Sequence, residues 1–307
     1  MTTVNSEMQT AFENILFATD LSQGTESAVP YVIETARLYG SKVHAVHVKT
    51  EEWDDFHEKA LQRLQQQLAD VRHEVRIEPG EVRTTLLDLA AEKGTDLIVL
   101  GTHGRTGLGR VLLGSVAETI FRQASCPVMT VGPRHRGDLG TPLIKEILYA
   151  TDLTPASASA ARFVLSLAQK TQARLTILTV LPENKAADAV AHSEHEVTLT
   201  LRTLEALVPP DTQLPSQPCF VVERGDAADK ILETANKCDA DLIVLGVRPH
   251  LVGMATHVSR RTAHEVVTAA PCPVLTVPGF GPCADCEKVA HKGKAGLPAI
   301  EFAPSCA

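Results

Sequence analysis

The chain says the same thing twice, at domain scale. Asn14-Ile-Leu-Phe-Ala-Thr-Asp20-Leu-Ser22 returns as Glu146-Ile-Leu-Tyr-Ala-Thr-Asp152-Leu-Thr154. Lys42-Val-His-Ala-Val-His-Val48 returns more loosely, at the same offset, as Arg174-Leu-Thr-Ile-Leu-Thr-Val180. Asp96-Leu-Ile-Val-Leu-Gly101 returns as Asp241-Leu-Ile-Val-Leu-Gly246, and Ser125-Cys-Pro-Val-Met-Thr-Val131 as Pro271-Cys-Pro-Val-Leu-Thr-Val277. The order never changes, so the chain is a duplication. Each unit is far longer than the short repeats that stack into solenoids. Whatever one half folds into, the other folds into as well, and 307 residues divide into two domains of ordinary size. The boundaries read as 1–137, 142–280 and a tail over 281–307.

Within each repeat, short apolar runs alternate with amphipathic stretches. In the first, strands are predicted near 14–19, 42–48, 73–77, 96–100 and 127–131, and helices near 24–39, 53–71, 82–93 and 115–124. Alternation of this length gives parallel strands, right-handed crossovers and helices on both faces. The fold class is therefore α/β: two tandem doubly wound domains, each with a five-stranded parallel sheet. Ligands bind such sheets at the carboxyl ends of the strands, where the strand order reverses. Asp20, Val48 and Gly101 each end or directly follow one of three strands, so they are expected to meet in one crevice.

After the strand run Leu97-Ile-Val-Leu100 come Gly101-Thr-His-Gly104, nine more residues, and Gly114-Ser115. A helix pattern follows, with apolar positions 116, 117, 120 and 121 on one face. Glycines let a loop take positive φ and approach a ligand closely. The N–H groups of a helix start favour an anion such as phosphate. Taken alone, a glycine loop reads equally well as a tight turn. The spacing is neither a P-loop, which needs Gly-Lys-Ser/Thr, nor the dinucleotide fingerprint.

Taken together, Ala18-Thr19-Asp20, His47-Val48, Gly101/Gly104/Gly114/Ser115 and Cys126-Pro127-Val128 make the chain resemble a tandem universal stress protein over roughly residues 10 to 280. The resemblance implies an adenine nucleotide α-hydrolase-like fold and ATP, or another adenine nucleotide, with or without Mg. Asp20 and Val48 would contact the adenine side, Val48 through its backbone. Gly101 and Gly104 would let the loop close over ribose and phosphates. Gly114, Ser115 and Val116 would offer backbone N–H groups, with the Ser115 hydroxyl as a further donor. His103 and Arg105 would contact phosphate from the loop. Residue by residue, plainer readings stay open. Asp20 caps a helix or closes a turn, Ser115 is an N-cap, and His103 and Arg105 are solvated loop residues.

The second repeat departs from the family pattern. Pro249 stands in place of Gly104, and Ser259 and Arg260 in place of Gly114 and Ser115. Proline removes an N–H donor and fixes φ, and a side chain at the third glycine position blocks close approach. The second repeat is expected not to bind ATP in the family manner. Arg260 and Arg261 either attract an anion at that helix start or face solvent.

The resemblance thus implies a stress-response protein in which ATP shifts conformational populations, with the second repeat as a structural pseudo-dimer partner. A slow ATPase and a ligand-free scaffold are the alternatives. Neither a Walker lysine nor a Ser-Gly-Gly-x-Asp-Ser pyrophosphatase loop is present to support catalysis. The last strands, Val128–Val131 and Val274–Val277, are expected to stand at sheet edges and to pair within the chain. A linker over 132–145 connects the repeats, and higher homo-oligomers stay open.

A net charge of −8 argues against a nucleic-acid or membrane surface. The polar start Met1–Thr10 and the short apolar runs argue against a leader or a membrane span, so a cytoplasmic location is expected. Seven scattered cysteines do not read as a disulfide framework. Cys126 and Cys272 hold matching places and are expected to be buried beside strands. In the tail, Cys283-Ala-Asp-Cys286, His291 and Cys306 offer zinc or redox chemistry, against the reading of a flexible terminus. His192 and His195 read as parts of a solvated helix.

Overall fold

The computed structural model describes residues 12–49, 53–101, 114–132, 143–183, 190–247 and 260–278. The first repeat runs β1 Asn14–Ala18, α1 Gln23–Glu26, α2 Val29–Tyr39, β2 Lys42–Lys49, α3 Asp55–Gln67, β3 Arg72–Pro79, α4 Val82–Glu92, β4 Leu97–Gly101, α5 Ser115–Gln123 and β5 Val128–Val131. The second runs β6 Glu146–Ala150, α6 Pro155–Thr171, β7 Arg174–Leu181, α7 Val190–Glu205, β8 Cys219–Arg224, α8 Ala227–Lys237, β9 Leu242–Val247, α9 Arg260–Ala269 and β10 Val274–Pro278.

The two five-stranded sheets are one ten-stranded sheet, in the order β3-β2-β1-β4-β5-β10-β9-β6-β7-β8. The join is the expected one. β5 and β10 pair antiparallel with Leu275 opposite Met129, while the other strand pairings are parallel. Thr130 and Thr276 add hydroxyl donations across the join, to the carbonyls of Val274 and Val128, both at 3.2 Å. Each edge strand therefore covers the other, which removes two exposed ladders.

Strand residues alternate between two cores, as a period of two requires. Ile15 and Phe17 face the layer of α2, α3 and α6, whereas Leu16 and Ala18 face that of α4, α5, α8 and α9. Both faces are buried, which explains the unbroken apolar runs. Each core continues across the join, so the repeats share their interior.

One predicted helix is split. The stretch expected as 24–39 breaks at Ser27–Ala28 into α1 and α2. Pro30 has no N–H to donate to Glu26 and its ring crowds the preceding turn. In the second repeat Arg162 holds the matching place, and α6 runs unbroken for 17 residues from Pro155 at its first turn. The starts of β1 and β6 are clamped alike. Asp96 Oδ2 accepts the N–H groups of Glu13 and Asn14 at 2.9 Å, and Asp241 Oδ2 those of Lys145 and Glu146 at 2.9 and 3.0 Å.

Cys272 is buried and Cys126 half-buried, just ahead of their strands. His195 is exposed on α7, as expected of a solvated helix. No helix among the described residues is long and apolar enough to cross a membrane. The tail residues Cys283, Cys286, His291 and Cys306 lie outside the described residues.

Candidate functional site

The strand order reverses between β1 and β4, which opens a crevice at their carboxyl ends beside β2. Beyond Ala18, Thr19 still donates its N–H to the Val46 carbonyl at 3.0 Å. The chain then turns through Leu21, whose φ of 60 lies in the left-handed region. The Leu21 N–H donates to Thr19 Oγ1 at 3.0 Å. The second repeat builds the same turn: Leu153 has φ 59 and its N–H donates to Thr151 Oγ1 at 3.1 Å. A strained turn present in both repeats belongs to the fold, whatever a ligand adds.

Asp20 is half-buried on this turn. Its Oδ1 accepts the Ser22 N–H at 3.0 Å and the Thr25 hydroxyl at 3.1 Å. It closes a turn but does not cap α1, whose N-cap is Ser22. Val48 lies two residues past Val46, the last β2 position that β1 reaches in register. Alternate residues of a strand aim their peptide groups to the same side. The Val46 carbonyl meets β1, so the peptide groups of Val48 point along that side into the crevice, while its side chain is buried in the α4–α5 core.

Gly101 ends β4 and has a packing role that its place in the loop motif did not announce. A Cβ there would stand 3.1 Å from Thr25 Cγ2 and 3.3 Å from the Gly24 carbonyl oxygen. Its missing side chain is what lets α1 rest on the end of β4.

The start of α5 faces the same edge, because a crossover helix begins where its strand ends. Gly114 is the N-cap, with φ −60 and ψ 147, and no side-chain cap hydrogen bond is made. Ser115 is therefore the first helical residue rather than the cap, and it is exposed. Val116 follows, half-buried against the core. His103, Gly104 and Arg105 lie outside the described residues, as do Pro249 and Ser259. In the second repeat Arg261 is exposed and paired with Glu265 at 2.8 Å, one helical turn on.

A cluster of rings supports the crevice from the α3 side. His47 is buried, with Nδ1 3.1 Å from the Thr19 carbonyl oxygen. Trp53 stacks on His57 with centroids 5.1 Å apart and lies 5.8 Å from His47. Asp54 caps α3 by accepting the Phe56 and His57 N–H groups, both at 3.1 Å. Sequence reasoning quoted His47 and Thr19 within the family motifs without giving either a role, and took up neither Trp53 and His57 nor Thr25. The signal was present: hydroxyl residues recur at the places of Thr19 and Thr25 in the second repeat, as Thr151 and Ser157.

Comparison with known proteins agrees with this architecture. The family model described as Universal stress protein family matches residues 11–132 and 144–278. A universal stress protein of Methanocaldococcus jannaschii is 31% identical over 140 residues, which is 39% of this chain and 82% of that protein. One of Synechocystis is 30% identical over 141 residues, 45% of this chain and 88% of that protein. Both are matched nearly whole by less than half of this chain. A crystal structure of a universal stress protein from Archaeoglobus fulgidus matches the tandem fold. Its TM-score is 0.63 at 20% identity, and the match covers 88% of this chain and 99% of that one.

Proposed function

The chain belongs to the universal stress protein family, and from that premise we propose that its first repeat binds an adenine nucleotide, ATP foremost, as a regulatory ligand. The second repeat acts as its structural partner. The observation that carries this reading is the start of α5. A helix start capped by glycine, with no side-chain cap, meets the reversal crevice of the sheet.

The residues suit such a ligand. N–H groups at the start of a helix, reinforced by the helix dipole, favour phosphate, and here they belong to Ser115 and Val116. The Asp20 carboxylate accepts from an adenine amino group or a ribose hydroxyl. The peptide group of Val48 offers a donor and an acceptor to the edge of the base. Gly104, His103 and Arg105 complete the loop in this reading, and a Mg ion would travel with the phosphates. The second repeat stays empty because Pro249, Ser259 and Arg260 replace Gly104, Gly114 and Ser115.

Calorimetric titration of ATP into nucleotide-stripped protein, beside the variant Gly114→Val, tests the reading. One site per chain, lost in the variant, is expected. Two sites per chain, or unchanged binding by the variant, would overturn it. Steady ATP turnover abolished by Gly114→Val would make the protein an enzyme instead.

A further inference from the structure

Thr25 touches both sides of the crevice. Its Oγ1 lies 3.1 Å from Asp20 Oδ1, 2.9 Å from Thr19 Oγ1 and 3.0 Å from the Ser22 carbonyl oxygen. Its Cγ2 stands 3.1 Å from the place a Cβ on Gly101 would take. Thr25 is a buried residue; its contact with Thr19 is buried with it, and those with Asp20 and the Ser22 carbonyl are part-buried.

A hydroxyl has one proton to give and two lone pairs to receive with. Thr19 Oγ1 accepts the Leu21 N–H and keeps a lone pair, so either hydroxyl can give the proton between Thr19 and Thr25. The Asp20 carboxylate and the Ser22 carbonyl can only accept, which favours Thr19 as that donor. The Thr25 proton then passes to the Asp20 carboxylate or to the Ser22 carbonyl. A bond that ends on a carboxylate is charge-assisted and about twice as strong as a neutral one. With the Ser22 N–H on the same oxygen, two donors at different angles fix the carboxylate plane.

The second repeat supplies a built-in comparison. Ser157 holds the place of Thr25 and keeps the first link, with Oγ 2.8 Å from Thr151 Oγ1. The second link differs. Asp152 Oδ1 accepts from Thr154 instead, from its N–H at 3.0 Å and its hydroxyl at 2.7 Å. The carboxylate of the second repeat is thus tied to its own turn, while that of the first is tied to a side chain that also supports the root of the glycine loop.

We propose that Thr25 is a positioning residue for nucleotide binding. Its hydroxyl sets the Asp20 carboxylate for the adenine or ribose side, and its methyl sets the distance between α1 and the loop root at Gly101. The inference rests on the first repeat being the nucleotide site. It makes the two atoms of one side chain responsible for two different parts of the ligand.

The test is titration of adenosine and of ATP into the full chain carrying Thr25→Val, Thr25→Ser, Asp20→Asn, or Thr25→Val with Asp20→Asn. Thermal melting checks that each variant is folded. Thr25→Val keeps the shape and loses the proton, so both ligands are expected to weaken by the same factor, about tenfold. In the Asp20→Asn background the same change is expected to cost clearly less, because asparagine keeps an acceptor oxygen but not the charge that strengthens the bond. Thr25→Ser keeps the proton and loses the methyl, so adenosine should bind as before while ATP weakens.

Wild-type affinity in Thr25→Val, or losses that multiply in the double variant, would overturn the proposal while leaving the site intact. A wild-type protein that binds neither ligand would overturn the site as well. Should Thr25→Val fail to fold, Thr25→Ser decides. A split between adenosine and ATP supports the proposal, and equal affinities or equal losses for the two sink it.

Discussion

Gly246 lies so close to Ser157 that a Cβ on it would stand 2.7 Å from the serine Cα and 2.9 Å from its carbonyl oxygen. These are backbone atoms of α6 and cannot swing aside as a side-chain tip can. Gly101, its counterpart, would meet the Thr25 methyl at 3.1 Å and the Gly24 carbonyl oxygen at 3.3 Å. The glycine that follows the fourth apolar run of each repeat is therefore set by the approach of helix to sheet. That is why it persists in the second repeat, where the counterparts of Gly104 and Gly114 are gone.

Gly246→Ala is expected to destabilise the protein by about 1–3 kcal/mol, the usual cost of overpacking, and Gly101→Ala by less. Urea unfolding checks this through the midpoint at unchanged slope. Equal and negligible effects at the two sites would contradict the packing role.

The duplication, the element order and the pairing of the last strands were all legible in the sequence, because they depend on apolar runs whose period and order survive in both halves. The break between α1 and α2 was missed although its cause, Pro30, stands in plain view. The helical periodicity on either side of it outweighed a single residue. The crevice was legible to the extent that it sits at strand ends. Asp20 and Val48 fall there by topology alone. What periodicity could not reach were contacts between residues far apart in sequence, such as Thr25 with Gly101 and His47 with Thr19. Their residue types are ordinary, and only the coincidence of Thr25 with Ser157 in the two repeats marks the first pair.

Glu34 of α2 accepts the Leu143 N–H at 2.9 and 3.1 Å on its two oxygens, tying the first repeat to the residues that lead into β6. Burial raises its pKa, the Leu143 bond offsets part of that rise, and the charge of Asp241 adds to it. A folded value above the unfolded one means that folding favours the protonated carboxyl. Its contribution is full below the ordinary carboxylate range and is lost as pH rises through the folded value. Glu34→Gln keeps an acceptor and removes the charge. Its stability relative to the wild type is expected to improve from about pH 4 to about pH 7. A difference that stays flat, or runs the other way, in paired denaturant melts would contradict this sign.

The cysteines should divide by burial. Burial pushes the Cys126 thiol up to about 11 and the Cys272 thiol up to about 12, and each shift shrinks the thiolate fraction that reacts. Cys219, at the start of the edge strand β8, is exposed. Brief iodoacetamide treatment of the native protein, mapped by mass spectrometry, is expected to label Cys219 well before Cys126 and Cys272. Denaturant should bring the three to similar rates. Native labelling of Cys272 as fast as Cys219 would show that the start of β10 opens readily.

Trp53 is the chain's single tryptophan, and its place makes it a reporter of the Asp20 turn. Its ring lies 5.8 Å from that of His47, and His47 Nδ1 lies 3.1 Å from the carbonyl oxygen of Thr19, the residue before Asp20. Indole emission is sensitive to the distance and polarity of such neighbours. A ligand that draws on Asp20 is therefore expected to change the emission along a saturable curve, with the same midpoint that calorimetry gives for ATP. Asp20→Asn should move both midpoints together, whereas Asp152→Asn, in the second repeat, should leave both where they are. Heat of binding with unmoved emission would place the ligand away from this turn. An emission change shifted by Asp152→Asn would place it in the wrong repeat.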